Sequence, residues 1–188
     1  PGGGSASALI AAVGAALGAM VGWMTYGKRK FEAQDATMRR LIPPLHHAMT
    51  GLLPMIDRDT RAFDGYMEAL GMPRDTEEEK ETRHRAMQEG LKAAVKVPLE
   101  VMRLADGAWD AMVEMAAHGN AASRSDLEVG ARALEAGIWG ASRNVTINLP
   151  GIEDEAYRKT AAEEAGALAA RAAAKRDEVL AAFAARET

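Results

Sequence analysis

Between Ser5 and Tyr26 the chain carries no charged side chain, and alanine and glycine supply most of the positions. Alanine is the strongest helix former, so the stretch is a helix. Without charge it has no face that seeks water, and it must be covered by protein or lipid. Its length is about one bilayer thickness. Gly14, Gly18 and Gly22 recur every fourth residue, a spacing that lets two helices meet backbone to backbone. Few of the residues are large and greasy, which argues against a membrane span. No basic region precedes the stretch, and it is too long for the apolar core of a signal peptide. The expectation is the central helix of a soluble bundle, surrounded on all sides.

The rest of the sequence supplies the partners. A second helical region runs from about Phe31 to Leu70, and Pro43, Pro44 and Pro54 are expected to kink or divide it. Residues 71–76 read as a loop. Thr76 and Glu79 form a capping box that opens a third helix, which runs to about Ala117 with a bend near Pro98. Gly119 suits a left-handed cap at its end. A fourth helix runs from about Asp126 to Asn148 with Ser125 as its cap, and Pro150-Gly151 breaks the chain. A last alanine-rich helix extends from Asp154 to about Arg186, packed along one flank. No strand pattern, repeat or linker divides the chain. The fold class is therefore all-α: one domain over residues 1–188, a bundle of about five long, partly kinked helices with a buried Ala/Gly-rich first helix.

Composition narrows function by exclusion. Acids and bases are interspersed with a net charge of −4, so there is no basic stripe for a phosphate backbone and nucleic acid is not an expected partner. The absence of cysteine excludes disulfides, thiolate metal sites and thiol nucleophiles, and fits a reducing cytoplasm. His46 and His47 are adjacent while His84 and His118 stand alone, so no pair has metal-ligand spacing and no metal is expected.

Four groups of residues could carry chemistry. Leu52, Ile56, Asp59, Phe63, Tyr66 and Leu70 follow helical spacing and share a face. An acid on that apolar stripe would have its pKa pushed upward, towards proton transfer; the alternative is a structural ion pair with a basic residue of another helix. Asp57 is expected to pair with Arg61. Gly2, Gly3, Gly4 and Ser5 read either as a flexible linker or as an anion-binding nest at a helix N-terminus. Lys28, Arg29 and Lys30 either cap the first helix or attract an acidic ligand tail. Asn144 and Asn148 lie above a strip of small residues, Gly137, Gly140 and Ala141, where they could meet the mixed edge of a heterocycle or bond between helices.

Pro1-Gly-Gly-Gly-Ser5, Met24-Thr-Tyr-Gly-Lys-Arg-Lys-Phe31, Asp59-Thr-Arg-Ala-Phe63 and Asn144-Val-Thr-Ile-Asn148 resemble the formimidoyltetrahydrofolate cyclodeaminase/cyclohydrolase family. So do Met38-Arg-Arg-Leu-Ile-Pro-Pro44, Glu77-Glu-Glu-Lys80, Ala86-Met-Gln-Glu-Gly-Leu91 and Ser125-Asp126, particularly as in the carboxyl-terminal domain of its bifunctional formimidoyltransferase-cyclodeaminase members. The resemblance spans essentially the whole chain, but the transferase part of those members has no counterpart in it.

What the resemblance implies is a cytoplasmic helical enzyme, a homodimer or higher oligomer, with a folate site near the subunit interface. Asp59 matches the family's catalytic aspartate. The implied reaction converts 5-formimidoyltetrahydrofolate to 5,10-methenyltetrahydrofolate and ammonia, with no tightly bound cofactor. Asn144 and Asn148 would orient the folate, while Gly2 to Ser5 with Lys28 and Arg29 would take its glutamate or polyglutamate carboxylates. The related activity is 5,10-methenyltetrahydrofolate cyclohydrolase. A different class of reading is a non-catalytic helical oligomerisation domain.

Overall fold

A computed structural model describes residues 2–184; Pro1 and the last turn to Arg186 that the sequence predicts lie outside the described residues. Among the described residues there are six α-helices: α1 (Gly3–Thr25), α2 (Asp35–Leu70), α3 (Glu77–Asp106), α4 (Trp109–His118), α5 (Arg124–Asn148) and α6 (Glu155–Ala184). Short 3₁₀ turns sit at Arg29–Gln34, Ala121–Ser123 and Leu149–Gly151, and no strand occurs among the described residues. Five helices are long and the sixth, α4, is short.

The glycines of α1 are where the helices meet most closely. A Cβ on Gly14 would lie 2.6 Å from the Leu134 nitrogen and 2.7 Å from the Gly130 carbonyl oxygen of α5. One on Gly18 would strike Met112 and Leu45, and one on Gly22 would reach Ile42 and Met115. This side of α1 is walled by α5, α2 and α4, around Leu45, Leu134 and Met112, all fully buried. The other side is open, contrary to the expectation of burial all round. Leu9, Ile10, Val13, Met20, Trp23 and Met24 are exposed, Trp23 by 56%. By length and composition α1 could cross a bilayer, but its glycine edge is sealed by protein.

Several boundaries differ from the sequence reading for identifiable reasons. Pro43, Pro44 and Pro54 stay inside a continuous α2. Their neighbours Leu41, Ile42, Leu45, Leu52 and Met55 are buried, so core packing holds the helix through the lost hydrogen bonds. Pro98 likewise lies buried within α3. The third predicted helix divides instead at Gly107-Ala108, where the turn places Trp109 wholly inside the core. Gly119 is extended, at φ −70° and ψ 172°. It is needed for space, because a Cβ there would sit 2.7 Å from the Met115 carbonyl oxygen. The left-handed residue is Gly27, at φ +69°, just past the end of α1. Ser125 does not cap α5, which starts at Arg124 after the 3₁₀ turn. That turn is opened by the Asn120 side chain, which accepts from Ala122 N, and is tied to α1 by Thr25 Oγ1, which accepts from Asn120 N at 2.9 Å.

The capping box forms as its sequence demands: Thr76 Oγ1 accepts from Glu79 N, and Glu79 Oε2 accepts from Thr76 N at 3.0 Å. Backbone donors of Thr76 and Asp75 hold the Glu79 carboxyl below the usual carboxylate range. Asp154 begins α6 by accepting from Tyr157 N and pairs with Lys92 at 2.7 Å, which lowers its pKa. Farther along, Arg103 grips Glu164 through two bonds of 2.6 and 2.7 Å and Arg171 meets Asp106 and Asp110, so ion pairs join α6 to α3 and α4, while its buried Ala161, Ala165, Ala172, Val179 and Phe183 pack it into a bundle in which α5 is its main neighbour.

Candidate functional site

The first turn of α1 and the middle of α2 converge on Asp59. Gly2 precedes the helix without a side-chain cap, and the first helical bond runs from Ala6 N to the Gly2 carbonyl oxygen. The N–H groups of Gly3, Gly4 and Ser5 therefore lack partners within the helix, and they concentrate the positive end of its dipole there. Asp59 takes its seat against this turn. Ser5 Oγ, 3% exposed, donates to Asp59 Oδ2 at 2.8 Å, and lies 3.2 Å from the Ile56 carbonyl oxygen as an alternative acceptor. Thr60 Oγ1 is 3.5 Å from the same hydroxyl. Gly4 cannot be replaced without moving the acid, since a Cβ there would fall within 2.6 Å of Asp59 Cγ and closer still to an oxygen.

Asp59 has no ion-pair partner among the described residues, so the structural ion pair considered from sequence is not what holds it. Its neighbour Arg58 is committed elsewhere, gripping Glu100 of α3 with bonds of 2.7 and 2.8 Å. That pair fixes the α2 backbone beside the acid. The apolar stripe proves uneven: Leu52 is buried, Ile56 and Tyr66 are half-buried, and Phe63 is 60% exposed. Asp59 itself is half-buried, open enough to reach a ligand. Asp57 and Arg61 form no ion pair among the described residues; both are exposed.

Asn144 closes another side of the site. A Cβ on Gly3 would stand 3.3 Å from Asn144 Nδ2. That amide nitrogen donates to the Gly140 carbonyl oxygen at 2.8 Å, which leaves Oδ1 free of protein donors among the described residues. Asn148 Nδ2 donates to the Asn144 carbonyl oxygen at 2.9 Å and approaches the Ala94 carbonyl oxygen of α3 at 3.4 Å. Both asparagines thus turn their amide donors to the backbone and keep their acceptors. The small-residue strip below them is not open space. Gly137 and Gly140 are filled by Ala11 and Ser7 of α1, and Ser7 Oγ donates to the Gly3 carbonyl oxygen at 2.6 Å.

Lys28 and Arg29 are not brought to this site within the chain. They follow the far end of α1, about 33 Å from its start at 1.5 Å per residue. Here lies a region that sequence reasoning missed: a cavity of about 480 Å³ lined by Trp23, Tyr26, Arg39, Ile42, His46 and His47 among others. Arg39 Nε donates to Tyr26 Oη at 3.2 Å and stacks over its ring. Its sequence signal was the aromatic pair Trp23 and Tyr26, the first exposed and the second half-buried, which a reading of α1 as fully buried concealed. Ser7 and Thr60 were also missed, because hydroxyls that brace a helix end carry no spacing signature.

The fold and site define a class: an all-α bundle in which a half-buried carboxylate is held at a helix N-terminus, with a carboxamide against the same helical turn. The formiminotransferase-cyclodeaminase family model matches residues 1–167. The chain belongs to that family. It is 53% identical to formimidoyltransferase-cyclodeaminase of Gallus gallus over 84% of this chain, and 48% identical to that of Dictyostelium discoideum over 88%. The chain spans about three tenths of the length of these relatives, 29% and 30%. Methenyltetrahydrofolate cyclohydrolase of Methylorubrum extorquens is 36% identical over 95% of this chain and 86% of its own. The crystal structure of formiminotetrahydrofolate cyclodeaminase from Thermotoga maritima superposes with a TM-score of 0.86 at 27% identity, covering all of this chain and 90% of that one.

Proposed function

We propose that the chain is a formimidoyltetrahydrofolate cyclodeaminase, an ammonia-lyase that converts 5-formimidoyltetrahydrofolate to 5,10-methenyltetrahydrofolate. The observation that carries this reading is the Asp59 carboxylate, fixed by Ser5 Oγ against the first turn of α1 yet open to a ligand. In the reaction N10 attacks the carbon of the formimidoyl group, whose nitrogen is protonated, and a tetrahedral adduct forms. N10 must then lose a proton and the amine must gain one before it departs as ammonia. A single carboxylate can do both, accepting from N10 and donating to the leaving nitrogen, so that protons and charge balance without an outside base. The Ser5 bond keeps one oxygen oriented while the other handles the proton. Asn144 Oδ1 supplies an acceptor for a ring N–H, and Asn148 braces Asn144.

The glycine turn Gly2 to Gly4 offers N–H donors for an anionic group. Lys28 and Arg29, about 33 Å from the start of α1 in the same chain, would supply cations for the glutamate or polyglutamate tail where a second copy brings them to the site. The reading needs no tightly bound cofactor. The protein acts in the cytoplasm, without nucleic-acid or membrane partners, as a homodimer. The uncharged exposed face of α1 supports self-association, since a contiguous apolar patch calls for cover.

A second reading, 5,10-methenyltetrahydrofolate cyclohydrolase, is favoured by one observation: the relative matched over most of both lengths bears that name. It would use water where the first uses the amine. Purified protein given the formimidoyl and the methenyl substrate separately, with ammonia and methenyl absorbance followed, distinguishes the two. Ammonia released with a rise in methenyl absorbance is the expected result; loss of methenyl absorbance without ammonia selects the hydrolase. Activity on neither would leave the oligomerisation domain.

A further inference from the structure

The stripe of α2 that carries Asp59 runs on past the point where α1 begins. Close contacts give the register of the two helices: Gly22 lies against Ile42, Gly18 against Leu45 and Gly4 against Asp59, so they run antiparallel. Each further turn of α2 would need an earlier turn of α1. The helix supplies none, because Gly2 is extended, at φ −130° and ψ −153°, and α1 starts at Gly3. Phe63 stands one turn beyond Asp59 and about five whole turns after Leu45, at the same angle around α2. Leu45 is fully buried against α1, whereas Phe63 is 60% exposed and Met67, a turn farther on, 49%.

The other neighbour of α1 shows the same overhang. Gly137 of α5 meets Ala11, Gly140 meets Ser7 and Asn144 stands by Gly3, so Asn148 also lies past the first turn of α1. Helices α2 and α5 flank α1 and have little contact with each other. Helix α3 closes the rear, with Tyr66 against Gly90 and Asn148 Nδ2 near the Ala94 carbonyl oxygen. Where α1 leaves off there is thus a recess one helix wide. One wall carries an aromatic ring, the other carries two carboxamides, and Asp59 lies at the floor.

We propose that this recess seats the pterin half of the substrate: Phe63 is the surface on which its planar pyrimidine ring stacks, and the Oδ1 atoms of Asn144 and Asn148 accept from its N–H edge. The proposal rests on the folate reading above and assigns one half of the folate to one place.

Three observations choose the pterin over the aminobenzoyl ring and Phe63 as its support. Phe63 occupies the packing side of α2, and no ring or cation stacks on it among the described residues. An uncovered aromatic face on such a side suits a flat partner. The two carboxamides spend their donors on the carbonyl oxygens of Gly140 and Asn144, which leaves acceptors that only an N–H can satisfy. A pterin carries ring and amino N–H groups along its edge; the aminobenzoyl ring presents carbon there. The last observation is the step from Phe63 to Asp59, a rise of about 6 Å along the helix. A pyrimidine ring on Phe63 therefore turns the opposite side of the bicycle, with N5 and N10, toward the carboxylate, which is the orientation that proton transfer requires.

The test uses Phe63→Leu, which keeps apolar bulk without a ring, and Phe63→Tyr, which keeps the ring. Because the side chain is largely exposed, both should unfold within about 3 °C of the unaltered protein. The probe is 6-methyltetrahydropterin, which has the pterin without the aminobenzoylglutamate tail, titrated under nitrogen and followed by its proton NMR signals. Phe63→Tyr should bind it within about twofold of the unaltered protein. Phe63→Leu should bind it about tenfold more weakly, and the upfield displacement that a stacked ring imposes on the probe should diminish. p-Aminobenzoylglutamate should bind both variants as it binds the unaltered protein. Equal affinity of Phe63→Leu and Phe63→Tyr for 6-methyltetrahydropterin would overturn the proposal, as would a loss that falls on p-aminobenzoylglutamate instead. So would failure of the unaltered protein to bind the pterin at millimolar concentration.

With the formimidoyl substrate, Phe63→Leu should raise KM about tenfold and hold kcat within about threefold, since Asp59 is untouched. An unaltered protein inactive on both folates, yet binding the pterin through Phe63, would sink the proposed activity and leave the ring seat standing. An active protein whose KM is the same in Phe63→Leu would sink the seat and leave the activity.

Discussion

The first and last helices are both rich in alanine, yet they are held by different forces. α1 joins the bundle by backbone approach, its glycines 14, 18 and 22 pressed against α5, α2 and α4 without a charged group. α6 is charged along its length and attaches through Lys92–Asp154, Arg103–Glu164 and Arg171 with Asp106 and Asp110, with Val179 and Phe183 as buried anchors. Close packing tolerates no added volume, whereas exposed ion pairs tolerate the loss of a partner. The site sits at the first turn of the first kind of helix, ahead of the glycines that lock it into the bundle.

The contrast can be broken at its strongest point by Gly137→Val. A Cβ at Gly137 already lies 2.6 Å from Ala11 Cβ and 2.7 Å from Ala11 N and Ser7 O, so α1 and α5 must separate. A loss of about 3 kcal/mol or more is expected by denaturant titration; an unchanged midpoint would show that α1 is not held by close approach.

Next in size is an effect on rate without one on stability. Asp59→Asn should remove proton transfer and lower turnover by about 100-fold or more. Gly4→Ala, which displaces the same carboxylate without removing it, should fall by a comparable factor. Both should keep Tm within about 3 °C of wild type, because the first turn of a helix can fray cheaply. If Gly4→Ala retains full activity, the seat described for Asp59 is not the working one.

Arg103→Ala tests α6. Half-exposed pairs of this type contribute below about 1 kcal/mol, so a small drop in stability that disappears at 1 M salt is expected. A loss as large as that of Gly137→Val would erase the distinction between the two helices.

The smallest effect is the pH response of that flank. The Arg103 hydrogen bond holds the Glu164 carboxyl below its usual value, and the Lys92 bond does the same for Asp154. A lowered folded pKa means stability present above the unfolded carboxylate pKa and lost as pH falls through the folded one. Hydrogen-exchange protection in α6, corrected for the intrinsic pH dependence of exchange, should therefore fall in acid before protection in α1 does, and an equal fall in both would count against it.

Much of this arrangement was legible in the chain. The capping box at Thr76 and Glu79 follows from two residues and needs nothing else, and Asp59 stands out because an acid interrupts an apolar rhythm. What stayed hidden is which side of α1 is covered. A helix with charges announces its wet face, but one without them looks the same from every direction, and only the positions of α2, α4 and α5 mark Leu9 and Trp23 as outside. The prolines of α2 misled for a related reason: local cost is visible in sequence, while the burial of Leu41, Leu45 and Met55 that overrides it is not. The left-handed cap expected at Gly119 falls instead at Gly27, because both follow helices, and only neighbouring atoms tell a turn glycine from a space-saving one.

The seat of Asp59 is assembled from Gly3, Gly4 and Ser5, within the opening residues of the sequence. For anyone handling the protein this has a practical meaning. Any group joined to the chain just ahead of Gly3 would stand beside the Asp59 carboxylate, and a measurement made on such material would report on the attachment as much as on the proposed site. The loop between α2 and α3, exposed around Arg74 and Asp75 and on no element that carries Asp59's immediate partners, is the better place for a handle.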